Sequence, residues 1–197
     1  MQANKFRGLL IGGGVLLVIV IWIVTSYNGL VNKEEKMKKQ WSEVQNTYQR
    51  RLDLIPNLVN VVKGQADFEK STLEQIANAR AKALSGSSNT ELTADNYNNQ
   101  EQAQNELAGA ANRMIIMIEN YPVLKGTAAF SGLQTQLEGT ERRVRVARKD
   151  FNGAVADYNK SVRGFPGSII AKLFGFKVKE GFSAEAGADK AVEIKFN

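Results

Sequence analysis

Gly8-Leu-Leu-Ile-Gly-Gly-Gly-Val-Leu-Leu-Val-Ile-Val-Ile-Trp-Ile-Val24, continued by Thr25-Ser-Tyr-Asn-Gly-Leu-Val-Asn32, contains no charged residue. At ~1.5 Å of rise per helical residue, about 20 apolar residues cross a hydrocarbon core of ~30 Å. This is the only such run in the chain, so it predicts a single transmembrane helix over residues 8–31, behind an N-terminal stub of residues 1–7. Two other readings compete. A cleaved signal peptide would use Lys5 and Arg7 as its basic start, but the run exceeds the roughly 7–15 apolar residues of a signal's central region, and no Ala-x-Ala site follows. A buried core helix fits poorly, because 17 nearly all-apolar residues without patterning do not suit a small soluble bundle. Trp22 and Tyr27 suit the membrane interface near the C-terminal end of the span. Gly8 and Gly12 form Gly-x-x-x-Gly, followed by Gly13 and Gly14. Small residues let two helices in lipid approach closely, which makes this a candidate self-association face. A pliable helix start is the competing reading.

The remaining polar residues suffice for one domain with a real core. The chain has no cysteine and no histidine. That excludes a disulfide framework and thiol chemistry, and it removes the commonest general base and metal ligand together. Zinc sites of the Cys/His kind are excluded, and no cofactor is expected. The net charge of +6 is modest and spread out, and does not point to nucleic acid. Three prolines, Pro56, Pro122 and Pro166, leave room for very long helices.

Beyond Asn32, apolar residues recur at Trp41, Val44, Tyr48, Leu52, Ile55, Val59, Val62 and Ala66, which is one helical face. The face resumes at Leu73, Ile76, Arg80 and Leu84. Nothing before Trp41 demands a break, so the membrane helix can run on into the bundle. Pro56 removes one backbone donor within this stretch. Residues 85–90, Ser-Gly-Ser-Ser-Asn-Thr, read as a loop. The Gln/Asn-rich stretch from Thr93 reads as a loop or as the exposed start of a helix. Helical spacing is clear at Leu107, Ala111, Met114, Ile118 and Tyr121, and Pro122 ends that element. Thr127 is a candidate N-cap. Phe130, Leu133, Leu137, Thr140, Val144, Ala147, Phe151, Ala154 and Tyr158 then make a 3-4 repeat, the seam of closely aligned helices. Glu138/Arg142 and Glu141/Arg145 sit at i, i+4 outside it. Gly164-Phe-Pro166 stops the helix, a short apolar piece follows, and the tail from Glu180 reads as loose. Short connections between long amphipathic helices give antiparallel neighbours. The expected fold is all-α: an elongated antiparallel helical bundle over residues 32–176, following the transmembrane helix, with a flexible tail at 177–197.

The chain resembles the LemA family of bacterial membrane proteins. The strongest match is Gln49-Arg-Arg-Leu-Asp-Leu-Ile-Pro-Asn-Leu-Val-Asn-Val-Val-Lys-Gly64. Tyr27-Asn-Gly-Leu-Val31, Trp41-Ser42, Ala79-Arg-Ala81, Glu119-Asn-Tyr-Pro-Val-Leu-Lys125, Leu137-Glu-Gly-Thr-Glu141, Tyr158-Asn159 and Phe165-Pro166 follow the same order. The likeness covers about residues 27–176; Phe151-Asn152 stands where the family often has Tyr-Asn, and the stub and the tail after Phe176 carry no match. The resemblance implies one N-terminal span and a largely helical bundle. It implies little about activity.

Several residues are candidate interaction sites. Arg50, Arg51, Asp53, Pro56 and Asn57 mark the proline-bearing turn; Arg forks there suit carboxylates or lipid phosphates, against a kink held by internal ion pairs. Glu119 and Tyr121 read as an acid beside a phenol, or simply as a helix end before proline. Asn152 and Asn159 share a heptad position and either set register across helices or lie exposed. Arg142, Arg143, Arg145, Arg148 and Lys149 read as a solvated face, or a face toward anionic headgroups, rather than a nucleic-acid site. Residues 165–176 suit either the membrane interface or packing across the end of the bundle.

Two functions from different classes follow. The first is a non-enzymatic scaffold or adaptor held in a bacterial inner membrane, with the bilayer bound through residues 8–31, a homo-oligomer or another envelope protein as partner, and no nucleic acid. Apolar residues off the seam, Leu54, Leu58, Ile115 and Ile116, call for a further helix or another subunit to cover them. The second is a hydrolase using carboxylates such as Glu119 and Glu141, though nothing in the sequence places those groups together. Two Lys/Arg precede the span and four lie in residues 33–39, which by the positive-inside rule favours a cytoplasmic bundle.

Overall fold

The computed structural model describes residues 2–63, 68–87 and 93–183, with side chains from residue 10 onward. The chain folds into α1 (Gln2–Val62), α2 (Lys70–Ser87), α3 (Ala94–Ile118), α4 (Pro122–Lys125), α5 (Ala128–Arg163) and α6 (Gly167–Phe174). No strand occurs among the described residues. The apolar run and the amphipathic stretch after it are one uninterrupted helix, since α1 has no break between them. Two compact units form, Met1–Ser42 with Lys149–Lys179 and Glu43–Arg148 with Glu180–Asn197.

In the first unit, α1 and α5 run antiparallel. Rising positions on α1 meet falling positions on α5: Lys33 donates to Ser161, Lys36 pairs with Asp157 at 3.8 Å, and the Trp41 and Phe151 ring centroids lie 5.4 Å apart. Leu30, Tyr158, Val162, Ile170 and Ala171 form the core here, with Trp22, Ile23 and Phe176 against its edge. The chain turns after Arg163 through two positions that only glycine fits. A Cβ on Gly164 would stand 2.7 Å from the Lys160 carbonyl oxygen, and one on Gly167 would stand 2.6 Å from that of Ser161. By contrast the apolar side chains of α1 from Leu10 to Val24 are mostly exposed, and its most apolar window has no residue buried. A long uncovered apolar helix of this kind is stable in lipid rather than in water.

In the second unit, Leu52, Ile55, Leu58, Ile76, Leu107, Met114, Ile118 and Phe130 share one core. All nine positions of the expected α5 seam, from Phe130 to Tyr158, are buried, as are Trp41, Val44, Tyr48, Leu52, Ile55 and Val62 on α1. Pro56 lies inside α1 and deprives the Leu52 carbonyl of its helical donor. Arg80 fills that gap: its Nε donates to the Leu52 oxygen at 3.3 Å. Thr127 caps α5, accepting from the Phe130 amide at 3.2 Å, and Pro122 occupies the first turn of α4.

Several expectations change. The apolar face read from Trp41 to Leu84 is not one helix: α1 ends at Val62 and α2 starts at Lys70. Ala66 and Gly64 lie outside the described residues. Ser85, Gly86 and Ser87, read as loop, complete the last turn of α2, and residues 88–90 lie outside the described residues. The start of α3 is a capped helix, with Thr93 accepting from the Asn96 amide, but it is not exposed: Asn96, Tyr97, Gln100 and Gln104 are all buried. Leu54 and Leu58 are covered within the chain and Ile115 is half-buried, so of these off-seam residues Ile116 alone is exposed. Phe182, in the stretch read as loose, packs its ring 5.9 Å from that of Tyr97 and lies under the Arg148 guanidinium at 4.7 Å. Residues 184–197 lie outside the described residues.

Candidate functional site: a buried arginine beside an open groove

Arg51 sits on the buried face of α1 one turn before Ile55, so the seam carries its long side chain inward among apolar neighbours. Its exposure is 1%. A charge there is tolerable only with full hydrogen-bonding and a counter-charge. Nη1 donates to the backbone and side-chain oxygens of Gln104, both at 3.0 Å, and Nη2 donates to Glu141 Oε2 at 2.7 Å. The guanidinium lies 6.0 Å from the centre of the Tyr48 ring, within cation–π range. Nε has no hydrogen-bond partner among the described residues. Burial pushes the Tyr48 phenol above its ordinary range, although Arg148 and Arg51 pull it down. The ring is therefore neutral near pH 7 and cannot serve as a base.

A groove of about 300 Å³ opens beside Arg51, walled by Ala108, Ala111, Ile115 and Leu137, with Gln134, Glu138 and Glu141 at its polar side. Nearby, Arg148 forms an ion pair with Glu101, and both side chains are largely buried. The cations and acids of this unit's interior are thus spent on one another. Among the described residues, no cluster of His, Cys, Asp or Glu could hold a metal ion.

The expected site residues separate accordingly. Arg51 is the inward partner of Glu141, while Arg50, Pro56 and Asn57 are exposed. Asp53 is also exposed and accepts from Gln49 Nε2 at 2.8 Å. Glu141 serves Arg51 rather than Arg145, and Glu138 accepts from Gln134 at 3.4 Å. Glu119 is the exposed C-cap of α3, and Tyr121 is half-buried, its ring 5.4 Å from that of Phe68. Asn159 does bond away from its own helix, but to a segment after α6 that is not helical. Its Nδ2 donates to the Lys179 oxygen at 2.7 Å, and its Oδ1 accepts from the Lys179 amide at 2.8 Å. Gly12 has open space around it in the single chain, and Gly8 lies in the backbone of α1 where side chains are not described. Sequence reasoning missed Gln104, although it stands one turn before Leu107 on the same stripe.

The profile of the LemA family matches residues 40–196, which includes the tail expected to carry no likeness. Among curated proteins, magnetosome protein MamQ 2 of Paramagnetospirillum magneticum (strain ATCC 700264 / AMB-1) is 23% identical over 198 residues, 90% of this chain and 73% of its own length. MamQ 1 of the same organism matches equally. Magnetosome protein MamQ of Magnetospirillum gryphiswaldense is 22% identical over 195 residues, 90% of this chain and 72% of its own.

Proposed function

The chain belongs to the LemA family, and from that premise we propose that it is a non-enzymatic, single-pass scaffold of the bacterial inner membrane, assembling with copies of itself. One observation carries the reading: among the described residues the buried Arg51 and Arg148 are paired internally, while the apolar side chains on the first half of α1 are mostly uncovered. An active site needs reactive groups converging on an accessible pocket. Here Glu141 is held by Arg51, and Glu119 caps a different helix end. The span from Leu10 meets the length requirement for crossing lipid, and Gly8 with Gly12 offers a close-approach face at its start. The basic residues at 33–39 favour a cytoplasmic bundle. The competing form is a monomeric adaptor for another envelope protein, and the groove beside Arg51, with Ile116 exposed at its wall, is what favours it.

Light scattering of the full chain in several mild detergents separates the two. Self-assembly predicts a multiple of the monomer mass that Gly12→Ile lowers without loss of helical signal. A monomeric wild type at micromolar concentration in every detergent refutes self-assembly and leaves the adaptor.

A further inference from the structure

α6 is apolar around most of its circumference: Gly167-Ser-Ile-Ile-Ala-Lys-Leu-Phe174. A helix of that kind needs cover on every side. Among the described residues only one side has it, where Ile170 and Ala171 pack on Leu30, Tyr158 and Val162. Ile169 and Leu173, one turn apart, face outward at 51% and 69% exposure, and Phe165, just before the helix, is 85% exposed. The inner edge of α6 meets α1 at the aromatic end of its apolar run. The Tyr27 ring stands 4.9 Å from that of Phe174 and 5.6 Å from that of Phe176, with Trp22 and Ile23 against the same core. Trp and Tyr gather at the level of lipid headgroups. An apolar helix pinned to that level lies where bilayer begins. Exposed cations flank it: Lys160 and Arg163 before, Lys172 within, Lys177 after. Lys172 can run its stem along the apolar face and leave its ammonium at the phosphates. The two hydrogen bonds between Asn159 and Lys179 tether the returning chain to α5.

We propose that α6 and Phe165 form an interfacial anchor, with Phe165, Ile169 and Leu173 inserted in the acyl–headgroup boundary of an anionic bilayer. This inference rests on the membrane-span reading of α1. The anchor fixes the rotation of α1 about the membrane normal, which a lone span leaves undetermined.

The chain has no native cysteine, so single sites can be labelled cleanly. Leu173→Cys, Phe165→Cys, Val18→Cys and Asp150→Cys would each carry an uncharged environment-sensitive fluorophore. The full chain would be reconstituted in vesicles of phosphatidylcholine and phosphatidylglycerol, with spin-labelled lipids as depth quenchers. Asp150 is exposed on α5, about 20 Å along the helix from Arg163, and serves as the aqueous control. The expected result is stronger quenching at Leu173 and Phe165 by the headgroup-proximal label than by the chain-end label. Val18 should show the reverse order and Asp150 no quenching. Quenching at Val18 with none at Leu173 or Phe165 overturns the anchor and leaves the span standing. Blue-shifted but unquenched emission at Leu173 also overturns it, because protein rather than lipid then covers the face. Absence of quenching at Val18 itself sinks the span reading and the anchor with it. Ile169→Asp with Leu173→Asp should abolish quenching at Phe165 while Val18 keeps its own.

Discussion

Glu141→Ala should destabilise the protein more than Arg51→Met, although both remove the same ion pair. The asymmetry comes from where the two side chains lie: that of Arg51 is 2% exposed and that of Glu141 is 38%. Without Glu141, the guanidinium keeps two acceptors on Gln104 but loses its counter-charge inside an apolar wall. Breaking a buried pair from this side costs about 3–5 kcal/mol. The adjoining groove of about 300 Å³ has room for water, which places the effect near the lower end, about 3 kcal/mol. Without Arg51, the half-exposed carboxylate turns to solvent and a methionine of similar length fills the seam. What remains is Gln104 Oε1 without its donor, worth about 1–3 kcal/mol; the backbone oxygen of Gln104 still has its helical partner. Combining Arg51→Met with Gln104→Leu and Glu141→Leu removes every polar side chain of the network and should return stability to within about 1 kcal/mol of wild type, or exceed it. Urea unfolding in mild detergent, followed by far-UV circular dichroism, gives the differences from the midpoints at constant slope. A loss for Glu141→Ala no larger than for Arg51→Met would mean that the arginine's charge is solvated, and the argument from burial fails.

Arg80→Met should cost about 1 kcal/mol in the wild-type background and clearly less alongside Pro56→Ala, because a backbone donor at position 56 then serves the Leu52 carbonyl. Strictly additive losses in that double-mutant cycle would refute the compensation. Stability should also fall at alkaline pH. Burial pushes Tyr97 from 10.0 up to about 12, and Tyr48 and Tyr158 shift the same way, so the folded chain holds these protons more tightly than the unfolded one. That stabilisation is complete below pH 10 and lost on the way to pH 12. A melting temperature that stays level across that interval would contradict it.

The seams were readable because burial on a long helix leaves a 3-4 period. Trp41, Val44 and Tyr48 and the nine α5 positions are all inside. The break between α1 and α2 was not, since Lys63 and the residues after it carry no proline and the apolar spacing simply continues. The buried face at the start of α3 was misjudged by residue type. Asn96, Gln100 and Gln104 look like solvent-facing amides, yet they continue the stripe of Leu107 and Ala111 at four- and three-residue steps. Gln100 Nε2 donates to Asn96 Oδ1 at 3.2 Å, so the stripe satisfies part of its own polarity. The local i, i+4 rule pairs Glu141 with Arg145, because the true partner lies 90 positions away and is reached only through tertiary packing.

Arg51 and α6 both depart from the rule of apolar inside and polar outside, and they resolve in opposite ways. Arg51 is a charge in a core, but its acceptors and counter-charge come from α3 and α5 of the same chain, so the fold alone accounts for it. α6 is the inverse: apolar side chains face outward, and the described residues supply cover on one side only. Scattered exposed hydrophobics are ordinary on a soluble surface and carry no message. Here Phe165, Ile169 and Leu173 lie together, on a segment locked at the aromatic end of the α1 apolar run and flanked by cations. A water-facing patch so placed would favour aggregation, whereas a lipid-facing one needs no further compensation. The physical difference between the two departures is the source of the missing partner: the chain provides it for Arg51, and the bilayer must provide it for α6.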